Sequence, residues 1–410
     1  MKSIIIILFM GLLSFGCKSK NNQKENPADL RPENAFFTIN VPELMKKKRE
    51  VTLSEIADTI EYIPLETSQN SLLGSISDAR FTKEYIFIGQ GLRRPIVQYD
   101  RAGKFIRTVG SLGRGTEEYV VMRDFSIDEE HGIIYILSSY NGNIQAYSFD
   151  GGYIETIRFP QSYGEIVWIR DSLFMCFKEP QTGTGQYVFE ERNSKNEIIQ
   201  TVKNQFFWQH TSKYIFGTSY PQRKVFHRLN NKLHFKAWYN DTVYTYNNKN
   251  EIIPKFFVDL KDLKLPNELR IEVTGAVVSS PEYYWVSVKE SSRYIFITYS
   301  TYSSSAGRPS DYGFIYFDKN KMDGSRYMNK MGKVHFVNDL DGGPNFYPEY
   351  INDSLAFSFE SVSQLKKYLE TDNPKNTDAK KQEQKEVFKL KLKGLNEFDN
   401  PVIMIAKLKF

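Results

Sequence analysis

The sequence predicts an all-β chain, a six-bladed β-propeller of four-stranded antiparallel blades with a helical insertion in the last blade, on three observations. A short apolar strand pattern recurs six times, about 40 to 60 residues apart, which is the period of propeller blades. A second strand pattern lies downstream of the first, with turn residues ahead of each copy. Aromatic residues make up 15% of the 410-residue chain, and they favour half-buried pleated surfaces.

The chain opens on an export signal. Lys2 supplies a positive charge, Ile4 to Leu13 is apolar apart from Gly11, and Ser14-Phe15-Gly16-Cys17 supplies small residues for cleavage. The apolar run is too short to span a bilayer. Its end resembles the bacterial lipobox, although Ser14 stands where that pattern usually has Leu. The resemblance implies a lipoprotein signal peptide over residues 1–16 and lipid attachment at Cys17. Residues 17–34 are polar and cannot bury enough apolar surface to order themselves, so they read as a flexible tether. This places the protein in the cell envelope, lipid-anchored at the outer membrane. The tether lacks the acidic run that looks typical of surface-exported lipoproteins, which favours a periplasm-facing orientation.

Residues 35–410 form the propeller. The first strand pattern is Tyr85–Ile88, Ile133–Ile136, Leu173–Cys176, Leu233–Lys236, Tyr294–Ile297 and Leu355–Ser358. The second is Phe105–Val109, Tyr153–Ile157, Ile198–Val202 and Ile252–Phe256, preceded by turns such as Asp150-Gly151-Gly152. Turns joining alternating strands are hairpin signals. A blade therefore reads a–b–c–d, with the first pattern as strand b and the second as strand d. Pro254 places its strand at a blade's outer edge, because proline in a sheet is confined to edges and bulges. Two further strand candidates lie at the ends, Val51 to Glu66 and Pro401 to Phe410. Propellers close by mixing strands from both termini, so blade six is expected to take inner strands from the C-terminus and its outer strand from the N-terminal segment. Residues 361–395 are rich in Lys, Glu, Gln and Leu and read as the helical insertion, their lysines a solvated helix face.

Composition excludes several classes. A net charge of +5 spread over the chain lacks the concentrated basic footprint of a nucleic-acid binder. Two cysteines exclude a disulfide scaffold, and Cys176, inside an apolar run, reads as a small buried hydrophobe. The five histidines are scattered without helical metal-ligand spacing, so no metal is predicted, with a calcium ion held by Asp, Asn and carbonyls of several blades as the alternative. Gly113-Arg114-Gly115 lacks the context of a phosphate loop and reads as a tight interblade turn that uses glycine at positive φ.

The stretch from Ile63-Pro64-Leu65-Glu66-Thr67 through Tyr99-Asp100 and Gly103–Ile106 to Gly110, with Gly113-Arg114-Gly115, Glu118-Tyr119, Asp124–Asp128 and the terminal Asn400-Pro401-Val402, resembles the six-bladed β-propeller lipoproteins of Bacteroidetes, relatives of NHL-repeat propellers. The resemblance is strong over Ile63 to Ile157 and at the C-terminus. It implies the fold and the anchor and carries no catalytic motif.

Propeller ligands bind where the b–c and d–a loops gather around the channel. The ligand-binding candidates on those loops are Arg93, Arg94, Arg114, Glu117, Tyr140, Trp208, His210 and Trp238, since aromatic faces beside polar groups stack on sugars and bond their hydroxyls. No catalytic residue is predicted and no cofactor. The leading expectation is a non-catalytic binding or scaffolding module for a glycan or protein partner. The alternative is an enzyme, a sugar-processing lyase or hydrolase or a calcium-dependent lactonase-like hydrolase, which requires acidic or His side chains converging at the channel mouth.

Overall fold

The b strands explain much of the architecture, because most of them are apolar on both of their faces; that of blade four is the exception, with His234 on one face. In the first, Ile86 and Ile88 are buried against Phe357, Ile403 and Ile405 of the last blade, while Phe87 between them is buried with Phe125, Ile134 and Ile136 of the second. Successive side chains on a strand point to opposite faces, so a strand packed against apolar neighbours on both sides is apolar at successive positions. The same division recurs around the ring. Phe174 and Cys176 face blade two and Met175 and Phe177 face blade four, while Ile295 and Ile297 face blade four and Tyr294 and Phe296 face blade six. Six apolar clusters result among the described residues, one at each junction between neighbouring blades. Each fully buried Phe, Ile or Met side chain in them contributes about 1.5–3 kcal/mol.

The computed structural model describes residues 36–138, 143–159, 163–178, 185–205, 224–266, 280–302, 311–327, 335–370 and 379–410. The signal peptide, Cys17 and the tether lie outside these residues. Blade one comprises Asp78–Phe81, Tyr85–Gly89, Ile96–Asp100 and Phe105–Val109, in the order a to d from the channel outward. Blade two comprises Met122–Asp128, Ile133–Ser138, Asn143–Ser148 and Tyr153–Arg158, and blade three Glu165–Arg170, Leu173–Phe177, Tyr187–Asn193 and Ile198–Lys203. Blade four has Phe226–Leu229, Lys232–Phe235, Thr242–Tyr246 and Ile252–Asp259, and blade five Ser280–Glu290, Tyr294–Tyr302, Tyr312–Asp318 and Asp323–Tyr327.

Blade six closes the ring as the sequence predicts. Its strands a and b are Tyr350–Ile351 and Leu355–Glu360, strand c is the C-terminal Val402–Leu408, and strand d is the N-terminal Ala57–Pro64. The closing pair runs antiparallel from Val402 opposite Pro64 to Leu408 opposite Ala57. Gly103, at the blade-one hairpin with φ +85°, lies so close to this strand that a Cβ would sit 2.2 Å from the Pro64 carbonyl oxygen. Two helices, α3 (Val362–Glu370) and α4 (Ala379–Leu392), lie between strands b and c of blade six. They dock Val362, Leu365, Phe388 and Leu392 on the junction of blades five and six, with the Phe388 ring 4.2 Å from that of Tyr62. No described helix is long and apolar enough to cross a membrane.

The N-terminal segment does more than supply one strand. Phe37–Asn40 pairs parallel with Phe256–Asp259, adding a fifth strand to blade four. The chain then turns through α1 (Val41–Lys46), capped by the Asn40 side chain accepting the Glu43 N–H at 3.2 Å, and Lys48–Arg49 pairs parallel with blade five. The segment read as a strand from Val51 begins instead with a helical turn, α2 (Leu53–Ile56), where the Glu55 carboxylate accepts the Thr52 N–H at 3.1 Å. The strand of Pro254 is therefore fourth in its blade but not its outer edge. The proline is accommodated because the added strand starts at Phe256, and the pairing with strand c shifts register across Lys255.

Blades four and five are also joined by a buried polar clamp. Glu290, with no exposed side-chain surface, accepts from Lys319 and Lys255 on one oxygen at 2.7 and 2.8 Å. Its other oxygen lies 3.1 Å from His234 Nδ1 and 3.5 Å from His227 Nε2. Burial works against the Glu290 carboxylate, yet the two lysines hold its pKa well below the ordinary range. Burial pushes His234 down to about 4, with the neighbouring Lys255 adding to the effect.

In the unfolded chain His234 returns to an ordinary imidazole value, about 6.5. Between pH 6.5 and about 4 the unfolded chain then binds more protons than the folded one, so acidification through that window removes stability. His234→Gln is expected to flatten this part of the fall in stability. Urea-unfolding midpoints measured by circular dichroism from pH 7 to pH 4 check this, and parallel pH profiles for the variant and the natural chain would contradict it.

Candidate functional site

The a strands line the channel, and here apolar packing gives way to charge. Asp78 and Arg80 come from strand a of blade one, Asp124 from blade two and Glu165 from blade three. Lys224 precedes strand a of blade four, which lies across the ring from blade one. Its ammonium reaches over the channel to donate to Asp78 Oδ2 at 3.0 Å and to Asp124 Oδ1. Arg80 donates to Asp78 Oδ1 at 2.6 Å, lies 3.8 Å from Asp124 and stacks over the Phe125 ring. Only 5% of each Asp side chain is exposed, so both carboxylates need these cations to offset their lost hydration.

The charges balance along the axis. Burial works against the Lys224 ammonium, yet Asp124 and Asp78 hold its pKa above the ordinary lysine range. Burial, followed by the adjacent Asp124, pushes Glu165 up to about 8, and burial raises Asp124 as well. Glu165 also accepts the Val225 N–H at 2.9 Å. Three carboxyl groups thus converge, two of them held by cations.

Beside this cluster, between blades four and five, lies a small recess that opens to solvent and has room for little more than a water-sized group. Lys224, His227, Lys236, Trp238, Trp285 and Ser287 line it, with valine side chains from both blades. Trp238, on the b–c loop of blade four, is held edge-on against Phe177 of blade three with ring centroids 5.1 Å apart. Lys236 is 7% exposed, and its ammonium donates to the carbonyls of Ala237 and Val286, each at 3.3 Å. Burial pushes its pKa down to about 8. Lys289, farther along strand a of blade five, is likewise pushed down to about 8 by burial and donates to the carbonyls of Pro348 and Glu349.

The loop residues singled out from sequence are not all brought together. Trp238 lines the pocket. Arg93 and Arg94 are exposed on the b–c loop of blade one, where the Arg94 guanidinium lies over Gly74. Arg114 and Glu117 are exposed on the loop from blade one to blade two, and the Glu117 carbonyl accepts the Tyr147 hydroxyl at 2.7 Å. Tyr140, Trp208 and His210 lie outside the described residues. Gly113 and Gly115 are not at positive φ; the Glu118 carboxylate folds back on the loop, accepting the Gly115 N–H at 2.8 Å and occupying the space a Cβ at Gly113 would take.

The channel charges escaped sequence reading, although a signal was present. When the b strands are aligned, Asp78, Asp124, Glu165, Lys224 and Glu349 fall six to nine positions ahead of their strand b, and Trp285 takes that place in blade five. Among the described residues, His227, His234 and Glu290 bring three potential metal-ligand atoms within 4.8 Å of one another. Two ammonium groups already sit on Glu290, and Lys255 lies 3.1 Å from His234 Nδ1, so an added cation would meet two positive charges at contact range. That arrangement does not fit a metal.

Comparison with one solved structure supports the fold. A Bacteroides fragilis protein described as exported is 18% identical, with a TM-score of 0.67 over 89% of this chain and 99% of its own. A member of the duf4221 family from Bacteroides vulgatus is 12% identical, with a TM-score of 0.44 over 86% and 97% of the two chains. A structural genomics protein from Bacteroides thetaiotaomicron is 10% identical, with a TM-score of 0.37 over 87% and 74%. No curated protein matches the chain. The chain belongs to the family described as domain of unknown function DUF4934, whose model matches residues 36–407.

Proposed function

We propose that this propeller is a lipid-anchored module of the cell envelope that binds a glycan or protein partner on its channel-mouth face and performs no chemistry of its own. The observation that carries this reading is the commitment of the channel carboxylates. A general acid and base pair needs one free carboxylate and one proton donor poised over a substrate. Here Asp78 and Asp124 are both engaged by Lys224 and Arg80, which favours a structural plug over a catalytic dyad. The indole-lined pocket beside the plug gives the same face a surface suited to recognition. The anchor rests on the sequence from Lys2 to Cys17 and on its resemblance to lipoprotein signals, and the kinship with NHL-repeat propellers rests on resemblance alone.

A glycan array and an envelope pull-down with the detergent-solubilised full chain test the binding reading. They are expected to retain a partner that is released chemically unchanged and is lost from the Trp238→Ala variant. No retention above a blank surface, or recovery of an altered compound, would contradict it. For the anchor, Cys17→Ser is expected to move the protein from the membrane fraction to the soluble fraction on ultracentrifugation, and an unchanged membrane fraction would count against lipid attachment there.

A further inference from the structure

The pocket between blades four and five carries a chemical signature narrower than general binding. Lys236 is almost wholly buried in its wall, yet the partners of its ammonium are two carbonyl oxygens at the long end of hydrogen-bond distance. Among the described residues no carboxylate lies within salt-bridge distance of it, and the nearby Asp241 is bonded to Lys264 at 2.6 Å. A buried cation without an anion is costly to maintain. Around it stand two indoles, Trp238 and Trp285, whose faces are apolar, together with Ser287 and His227, whose polar atoms can bond hydroxyls. An extended acidic peptide would match the cation but not the paired indoles, whereas a sugar ring presents a flat C–H face and a rim of hydroxyls.

We propose that this recess takes the carboxylate or sulfate of an anionic sugar, facing the Lys236 ammonium, with the sugar ring lying across the mouth against Trp238 and Trp285. The inference rests on the binding-module reading and names its ligand class, the acidic glycans. Carboxylate and sulfate share the chemistry that Lys236 recognises, and the test separates them.

The chain has four tryptophans, and two of them line this pocket, so indole fluorescence reports occupancy directly. The detergent-solubilised full chain is titrated with glucuronate, glucose 6-sulfate and glucose. At least one of the two anionic sugars is expected to bind about tenfold or more tighter than glucose, a difference of about 1.4 kcal/mol. Preference for glucuronate identifies the carboxylate and preference for glucose 6-sulfate identifies the sulfate. Lys236→Met is expected to erase the preference while leaving the far-ultraviolet circular dichroism intact, and Trp285→Phe to weaken all binding sugars together. Equal binding of glucose and the anionic sugars, or a preference that survives Lys236→Met, would overturn the proposal. Silence from all three sugars would also overturn it, and a partner still retained on the glycan array would then show that the broader module reading survives.

Discussion

The structure depends on one constraint: every blade is apolar on both faces and has to bury both. A single blade satisfies neither face, and an open row of blades leaves two uncovered, so only the closed ring removes the cost. This is why the chain ends are held so firmly. The C-terminal strand Val402–Leu408 supplies buried Val402, Ile403, Met404 and Ile405 to the blades on either side, and the N-terminal strand pairs along its whole length. The strap that precedes it extends the closure over blades four and five, adding backbone pairs to strands that would otherwise be edges.

Closure by apolar packing leaves a problem at the centre. The a strands bring Asp78, Arg80, Asp124 and Glu165 together at the axis, and these nearly buried groups must satisfy one another. The solution in this chain is electrostatic. Lys224 crosses the channel to two aspartates, Arg80 braces both, and the buried Glu165, raised in pKa, accepts a backbone N–H. Once these groups are mutually paired, the chemistry available to a ligand lies beside the axis, where Lys236 and two indoles face an open pocket. The separation between a paired plug and a lightly paired cationic pocket is the basis for a binding rather than a catalytic reading.

Much of the architecture was legible because it is local and repeated. Most of the b strands announce themselves as apolar runs, the d strands follow Asp, Asn and Gly turns, and Pro254 marks a real irregularity in its strand. What stayed hidden depends on distance in three dimensions. Phe37–Asn40 and Lys48–Arg49 are strands only because blades four and five offer them partners, and two residues carry no periodicity of their own. Lys236 reads as the end of an apolar strand, and nothing local says that its stem is buried beside two tryptophans, one of them 47 residues downstream of Trp238. Asp78, Arg80 and Asp124 read as ordinary alternation until the ring aims them at one point. The glycines around Arg114 show the same limit, since what lies against them is the Glu118 carboxylate and neither has a left-handed backbone.

The most direct test of the account is an experimental structure of the protein crystallised in millimolar calcium and inspected on the channel axis. The account predicts the Lys224 ammonium between Asp78 and Asp124, with Arg80 on Asp78 and no ion density among them. A calcium ion bound by those carboxylates, with Lys224 swung away, would contradict it and make the channel a metal centre open to chemistry.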